Sequence, residues 1–208
     1  MFKITPLEDR KLQKYKNTAI RDLNKFFNRK WIYNTPKIFV VDNRKSIDLL
    51  REEKTKDWVV GWSHGDLAIF ILNPNNISKE SCHDGSKYNI SKLIKHELCH
   101  SYFGLSFGKC RFSWINEGVA LYVADQLDRY PITKGFNGFL DGKKIYVESG
   151  TAIKLIVDNY GKDKLFTFLK KQSGTTTSKK LKLVFKEVFG SNLNYSLFNK
   201  LLENKHGY

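Results

Sequence analysis

One six-residue stretch constrains this chain more than any other: Lys95, His96, Glu97, Leu98, Cys99, His100. The pattern H-E-x-x-H puts two imidazoles on one face of a helix, about one turn apart. From there two ring nitrogens reach a single Zn²⁺ at about 2.0–2.1 Å each. Glu97 projects about 100° further round the helix, placed to act as a base on a water at the metal without ligating the metal itself. A zinc that does chemistry takes three protein ligands and leaves one position open, so the third ligand has to come from elsewhere. Glu117, within Trp114-Ile115-Asn116-Glu117-Gly118-Val119-Ala120, is the candidate. An H-E-x-x-H arises by chance in roughly one chain in a hundred of this size, and the second segment makes coincidence rarer still.

The composition sets the limits around that motif. With 208 residues, 41% of them hydrophobic and 14% aromatic, the chain can bury a real core as a single domain over 1–208. The 36 lysines and arginines outnumber the 21 acids and give a formal charge of +15. Such a balance attracts polyanions or acidic partners, or only keeps the chain soluble. The basic residues are scattered and mostly lysine, which favours solubility. The three cysteines, Cys82, Cys99 and Cys110, form no paired framework and suit a reducing compartment. No apolar leader follows Met1 and no run nears the length of a membrane span, so the expected location is the cytoplasm.

Patterning along the chain predicts an α+β fold: a small mixed or antiparallel sheet, then an active-site helix pair, then a helical C-terminal part. Thr5, Pro6 and Glu8 read as a helix start, with Leu12, Tyr15, Ala19, Leu23 and Phe26 recurring on one face as far as Asn28. A strand over 37–41, a short helix over 46–54 and two strands over 58–62 and 67–72 complete an N-terminal part at 1–88. His64 falls in the turn between the last two strands, and Cys82 and His83 in a loop; none has ligand spacing to a partner. The helix pair occupies 89–130. Its first helix is capped by Asn89 or Ser91 and stopped by Gly104, and its second runs over 115–127 with Glu117 in its first turn. Helices over 145–172, 181–189 and 193–202 fill the remainder, 131–208. Lys179, Lys180, Lys182 and Lys186 mark a solvated helix face, with a polyanion patch as the alternative.

The residues His96-Glu97-Leu98-Cys99-His100-Ser101-Tyr102-Phe103-Gly104 and Trp114-Ile115-Asn116-Glu117-Gly118-Val119-Ala120 together resemble the gluzincin metallopeptidases. The likeness is to the catalytic core of aminopeptidase-N-type enzymes and to the peptidase-MA-like bacterial domains that share its short form. It is strong over 96–120 and loose over 58–190. It implies a gluzincin-like fold, one bound Zn²⁺ and hydrolysis of peptide bonds. Carried over position by position, His96, His100 and Glu117 are metal ligands and Glu97 is the catalytic base. Tyr146 stands where the MA-like domains place a tyrosine that holds an oxyanion, or else it packs at a strand end.

Three departures qualify the resemblance. The 16 residues between His100 and Glu117 make a slightly shorter gap than in the aminopeptidases. No G-x-M-E-N motif precedes the helix; Asp66 is the one acid near its place and is out of register. The chain is too short for large accessory domains. An endopeptidase acting on a peptide or protein substrate therefore fits better than an aminopeptidase. The strand carrying Ala68, Ile69 and Phe70 is the expected sheet edge for an extended substrate. The reading from another class is a basic module that binds nucleic acid or protein and whose zinc site is catalytically silent.

Overall fold

The computed structural model describes residues 4–6, 9–129 and 135–206. In chain order the elements are β1 (Ile4–Pro6), α1 (Arg10–Phe27), β2 (Lys37–Val41), α2 (Arg44–Arg51), β3 (Gly61–His64), β4 (Ala68–Leu72), α3 (Ile77–Glu80), α4 (Ile90–Phe107), α5 (Ser113–Val123), α6 (Ile145–Tyr160), α7 (Lys162–Gln172), α8 (Ser178–Phe189) and α9 (Tyr195–His206). The class is α+β. The chain divides into two compact units, Met1–Tyr102 and Phe103–Tyr208, and the division falls inside α4.

The first unit is built on a four-stranded mixed sheet in the order β1-β2-β4-β3. β2 and β4 are parallel, and β1 and β3 flank them antiparallel. The N-terminus differs from expectation. Ile4–Pro6 is an edge strand, where a proline's missing N–H costs no ladder bond. The first helix begins later, at Arg10, because Asp9 caps it by accepting from the N–H groups of Lys11 and Leu12. Leu7 and Glu8 lie outside the described residues. The helix closes at Asn28, as the periodicity predicts, with Asn28 in the left-handed region. Phe27, not Phe26, joins Leu12, Ala19 and Leu23 in the core.

A second correction concerns the strand of Ala68, Ile69 and Phe70. It is interior, paired with β2 on one side and β3 on the other. Its main-chain groups are spent in two ladders, so it has no edge to offer a substrate. Among the described residues the open edge near the hairpin belongs to β3. That strand is also shorter than the expected 58–62 segment, because 55–59 is held in irregular conformation. The Arg44 guanidinium binds it, donating to the carbonyls of Lys56, Asp57 and Val59 and to the Thr55 hydroxyl.

α4 joins this unit through α1 and β3. Tyr102 donates its hydroxyl to Asn24 Oδ1 at 2.9 Å, and Lys95 pairs with Asp22 at 3.1 Å. α4 also runs past Gly104. It ends at Phe107, where Gly108 takes φ +75° and donates its N–H to the Gly104 carbonyl.

The second unit is helical around an aromatic core that includes Trp114, Phe139, Phe168, Phe185 and Phe198. α5 starts at Ser113 and stops at Val123, earlier at both ends than predicted. Tyr130 and Pro131, read as its stop, lie outside the described residues. α6 and α7 meet at Gly161, and α8 and α9 follow where amphipathic periodicity puts them. The buried Glu148 carboxylate accepts from the N–H groups of Gly138 and Phe139 at 2.9 and 3.0 Å, anchoring the loop that leads into α6. No described helix is long and apolar enough to cross a membrane.

Tyr102 makes the fold sensitive to alkali. Burial pushes its phenol up to about 12 from the ordinary 10.0, against a pull from the Arg29 guanidinium. The folded protein keeps this proton after the unfolded chain has lost it. Its contribution is therefore whole below pH 10 and is lost as pH rises toward 12. Denaturant titrations over that window should show an added loss approaching about 1.4 kcal/mol per pH unit, absent from Tyr102→Phe. Equal slopes in the two proteins would contradict this.

Candidate metal centre

α4 supplies two of the proposed ligands. Ile94 and Leu98 are wholly buried on one side of the helix, and this fixes the rotation that presents His96 and His100 on another. The two rings stand edge to face, 4.9 Å between centroids and 83° between planes. The ligand atoms of His96, His100 and Glu117 all lie within 4.8 Å of one another, the one such grouping among the described residues. A tetrahedral ion with bonds of about 2.0–2.1 Å sets its donors roughly 3.3–3.4 Å apart, a closure within reach of side-chain rotation. His96 is buried; His100 and Glu117 are half-buried. The donor set of two imidazoles and one carboxylate fits a metal ion.

Glu117 lies on α5, next to the residue that sets the packing of that helix. A Cβ on Gly118 would stand 2.8 Å from both the Ser149 carbonyl and Ile153 Cγ1. α6 therefore presses directly on the α5 backbone at Gly118. The glycine of the Asn-Glu-Gly segment is a close-approach residue, which accounts for its place beside the carboxylate.

Glu97 is only 6% exposed. Its cover is β3: a Cβ on Gly61 would stand 3.1 Å from Glu97 Oε1 and 3.1 Å from Leu93 Cδ1. One helical turn on, Ser101 donates its hydroxyl to the Gly65 carbonyl at 2.9 Å. These two anchors lay β3 along the helical turn that carries His96, Glu97 and His100. The free edge of β3 also has a definite chemistry. Leu72 donates its N–H to the Val60 carbonyl, which makes 60 and 72 a hydrogen-bonded pair. Antiparallel ladders alternate, so Trp62 turns its main-chain groups inward to Phe70 while Gly61 and Ser63 turn theirs outward.

The structure thus brings together His96, His100 and Glu117, with Glu97 beside two of them on α4. Ala68, Ile69 and Phe70 sit one strand further in. Tyr146 lies in the first turn of α6 and is 36% exposed. Cys99 is buried, a packing residue inside the motif. His64 is exposed at the end of β3, and His83 bonds the Trp58 carbonyl through Nε2. Residue-by-residue reading missed Gly61 and Ser63. A glycine inside a strand pattern does signal a close backbone approach, and that was the available clue to Gly61. Nothing local marks Ser63.

Comparison of the chain with protein-family models, with curated proteins and with solved structures finds no match.

Purified protein should carry about one equivalent of metal ion per chain. At a hundredfold excess over its Kd that ion adds about 2.7 kcal/mol to stability, so a chelator should lower the melting temperature. The His96→Ala/His100→Ala double variant should carry no metal and melt at the same temperature with and without chelator. A parent protein whose melting chelator leaves unmoved, and which binds no added Zn²⁺, Co²⁺ or Mn²⁺, would rule the centre out.

Proposed function

We propose that this protein is a zinc-dependent metallopeptidase of the gluzincin type, cutting peptide bonds within an extended peptide or protein substrate. The observation that carries the reading is the position of Glu97. Its carboxylate lies beneath the open edge of β3, in the same helical turn as two residues of the one His-His-Glu grouping among the described residues. Three protein donors of N, N and O type suit Zn²⁺ and leave a coordination position for chemistry. His96, His100 and Glu117 would hold the ion. When bound, Zn²⁺ would supply Lewis acidity to a carbonyl oxygen and lower the pKa of water.

The chain's own groups do the rest. Glu97 takes the proton of the attacking water and passes it to the departing amine, which balances the hydrolysis without a further acid. Gly61 and Ser63 offer outward N–H and C=O groups to a substrate backbone, so the peptide adds as a strand to β3. This pairing reads backbone rather than side chains and needs chain on both sides of the cut bond, which favours an endopeptidase. Tyr146 is the candidate donor to the oxyanion; it is carried on α6, whose Ser149 and Ile153 abut Gly118, the residue after Glu117.

Replacing Glu97 by Gln should leave metal content unchanged and lower turnover of a quenched-peptide library by roughly 10²–10⁴. Digestion at the same rate by this variant and its parent would sink the proposal. A parent that cuts nothing while holding its zinc would do the same. If Tyr146 serves the oxyanion, Tyr146→Phe should lower kcat and leave metal content alone.

A further inference from the structure

β3 has four residues and, among the described residues, one strand neighbour. A strand so short, laddered on one side, is expected to fray. Two tethers outside the ladder hold it. Ser101 grips the turn after it through the Gly65 carbonyl. Arg44 grips the segment before it. Arg44 Nη1 donates to the carbonyls of Val59 at 2.7 Å and Lys56 at 3.2 Å and to Thr55 Oγ1 at 3.1 Å. Its Nη2 donates to the carbonyls of Asp57 at 3.0 Å and Glu80 at 2.8 Å, and its Nε again to Glu80 at 3.1 Å. Its own N–H donates to Glu80 Oε2 at 2.9 Å.

Few side chains could make this cluster. The acceptors diverge around one planar fork, and a guanidinium offers five N–H donors in fixed directions where an ammonium offers three. The carbonyl of Val59 is two residues from Gly61, and Gly61 is where the edge strand meets Glu97. The segment that Arg44 immobilises therefore sets both how closely β3 lies on Glu97 and where its outward N–H and C=O groups stand.

We propose that Arg44 is a positioning residue of the site: by gathering the carbonyls of 56, 57, 59 and 80 it holds the β3 edge in place against Glu97 before a peptide arrives. The inference rests on the hydrolytic reading above and deepens it. Arg44 touches no reacting atom. Its effect is preorganisation: the strand that receives the substrate is already ordered, so binding does not bear that entropy. Loss of the tether should therefore appear in KM more than in kcat.

The test uses the full chain, with Arg44→Lys and Ser101→Ala as independent loosenings of the two ends. In Arg44→Lys, amide exchange at Trp62 and Leu72 should quicken by at least roughly tenfold, while Leu23 in α1 keeps its rate. For the best-cut peptide of the quenched library, KM should rise about tenfold with kcat within about twofold and zinc content unchanged. Ser101→Ala should move KM in the same direction. Joint quickening of Trp62 and Leu23 would reduce Arg44 to general support of the fold and overturn the inference. Unchanged exchange at Trp62, or an unchanged KM, would overturn it as well. A parent that hydrolyses nothing is a failure of the hydrolytic reading; an unmoved Trp62 amide is a failure of this inference alone.

Discussion

The contact on which the candidate site depends is the approach of β3 to α4 at Gly61. A carboxylate 6% exposed has to lie under something, and here its cover is bare backbone. Any side chain at Gly61 would sit 3.1 Å from Glu97 Oε1 and displace it by tenths of an ångström. That is the scale on which a general base loses alignment. The same closeness excludes bulk water from one side of the carboxylate. The open edge of a sheet and the Glu97 carboxylate thus become neighbours through one missing Cβ.

Holding a strand that near a helix has to be secured, since among the described residues β3 ladders with β4 alone. Arg44 and Ser101 act at its two ends, and they use different physics. Ser101 makes one neutral hydrogen bond from the helix itself. Arg44 brings charge-assisted bonds, each worth about 1.5–3 kcal/mol, to carbonyls that would otherwise need water. A loop tied down by a side chain follows no ladder, so 55–59 can turn where regular structure could not. In the second unit the Glu148 carboxylate performs the mirror task, gathering main-chain N–H groups at the loop before α6. Both devices replace missing secondary structure with one charged side chain.

Much of this architecture was legible beforehand, for identifiable reasons. β2 is legible at 37–41 because a short apolar run closed by turn residues has one sensible backbone, and the end of α1 is legible because its apolar positions recur at helical spacing as far as Asn28. The errors share a cause. Thr5 and Pro6 fit a helix start, yet Asp9 offered a better cap and β2 offered a partner for pairing. Gly104 suits a helix stop, but α4 continues to Phe107, and Gly108 after it takes positive φ. Local preference is worth about 1 kcal/mol, and a tertiary partner outweighs it.

The sequence by itself determined the helix of the histidine pair, the donor types and the presence of a carboxylate between them, because a 3.6-residue period converts spacing into direction without help from the rest of the chain. It also determined the α+β class through its alternating periods. Only the tertiary structure decided which strand is the edge. β3 and β4 are both short and joined by one turn. Sheet order depends on pairing with β2, a partner distant in sequence whose choice no local pattern records. The gathering of His96, His100 and Glu117 was an expectation until then, for the same reason: convergence is a property of packed helices, and residues 101–116 specify a length of chain, not a direction.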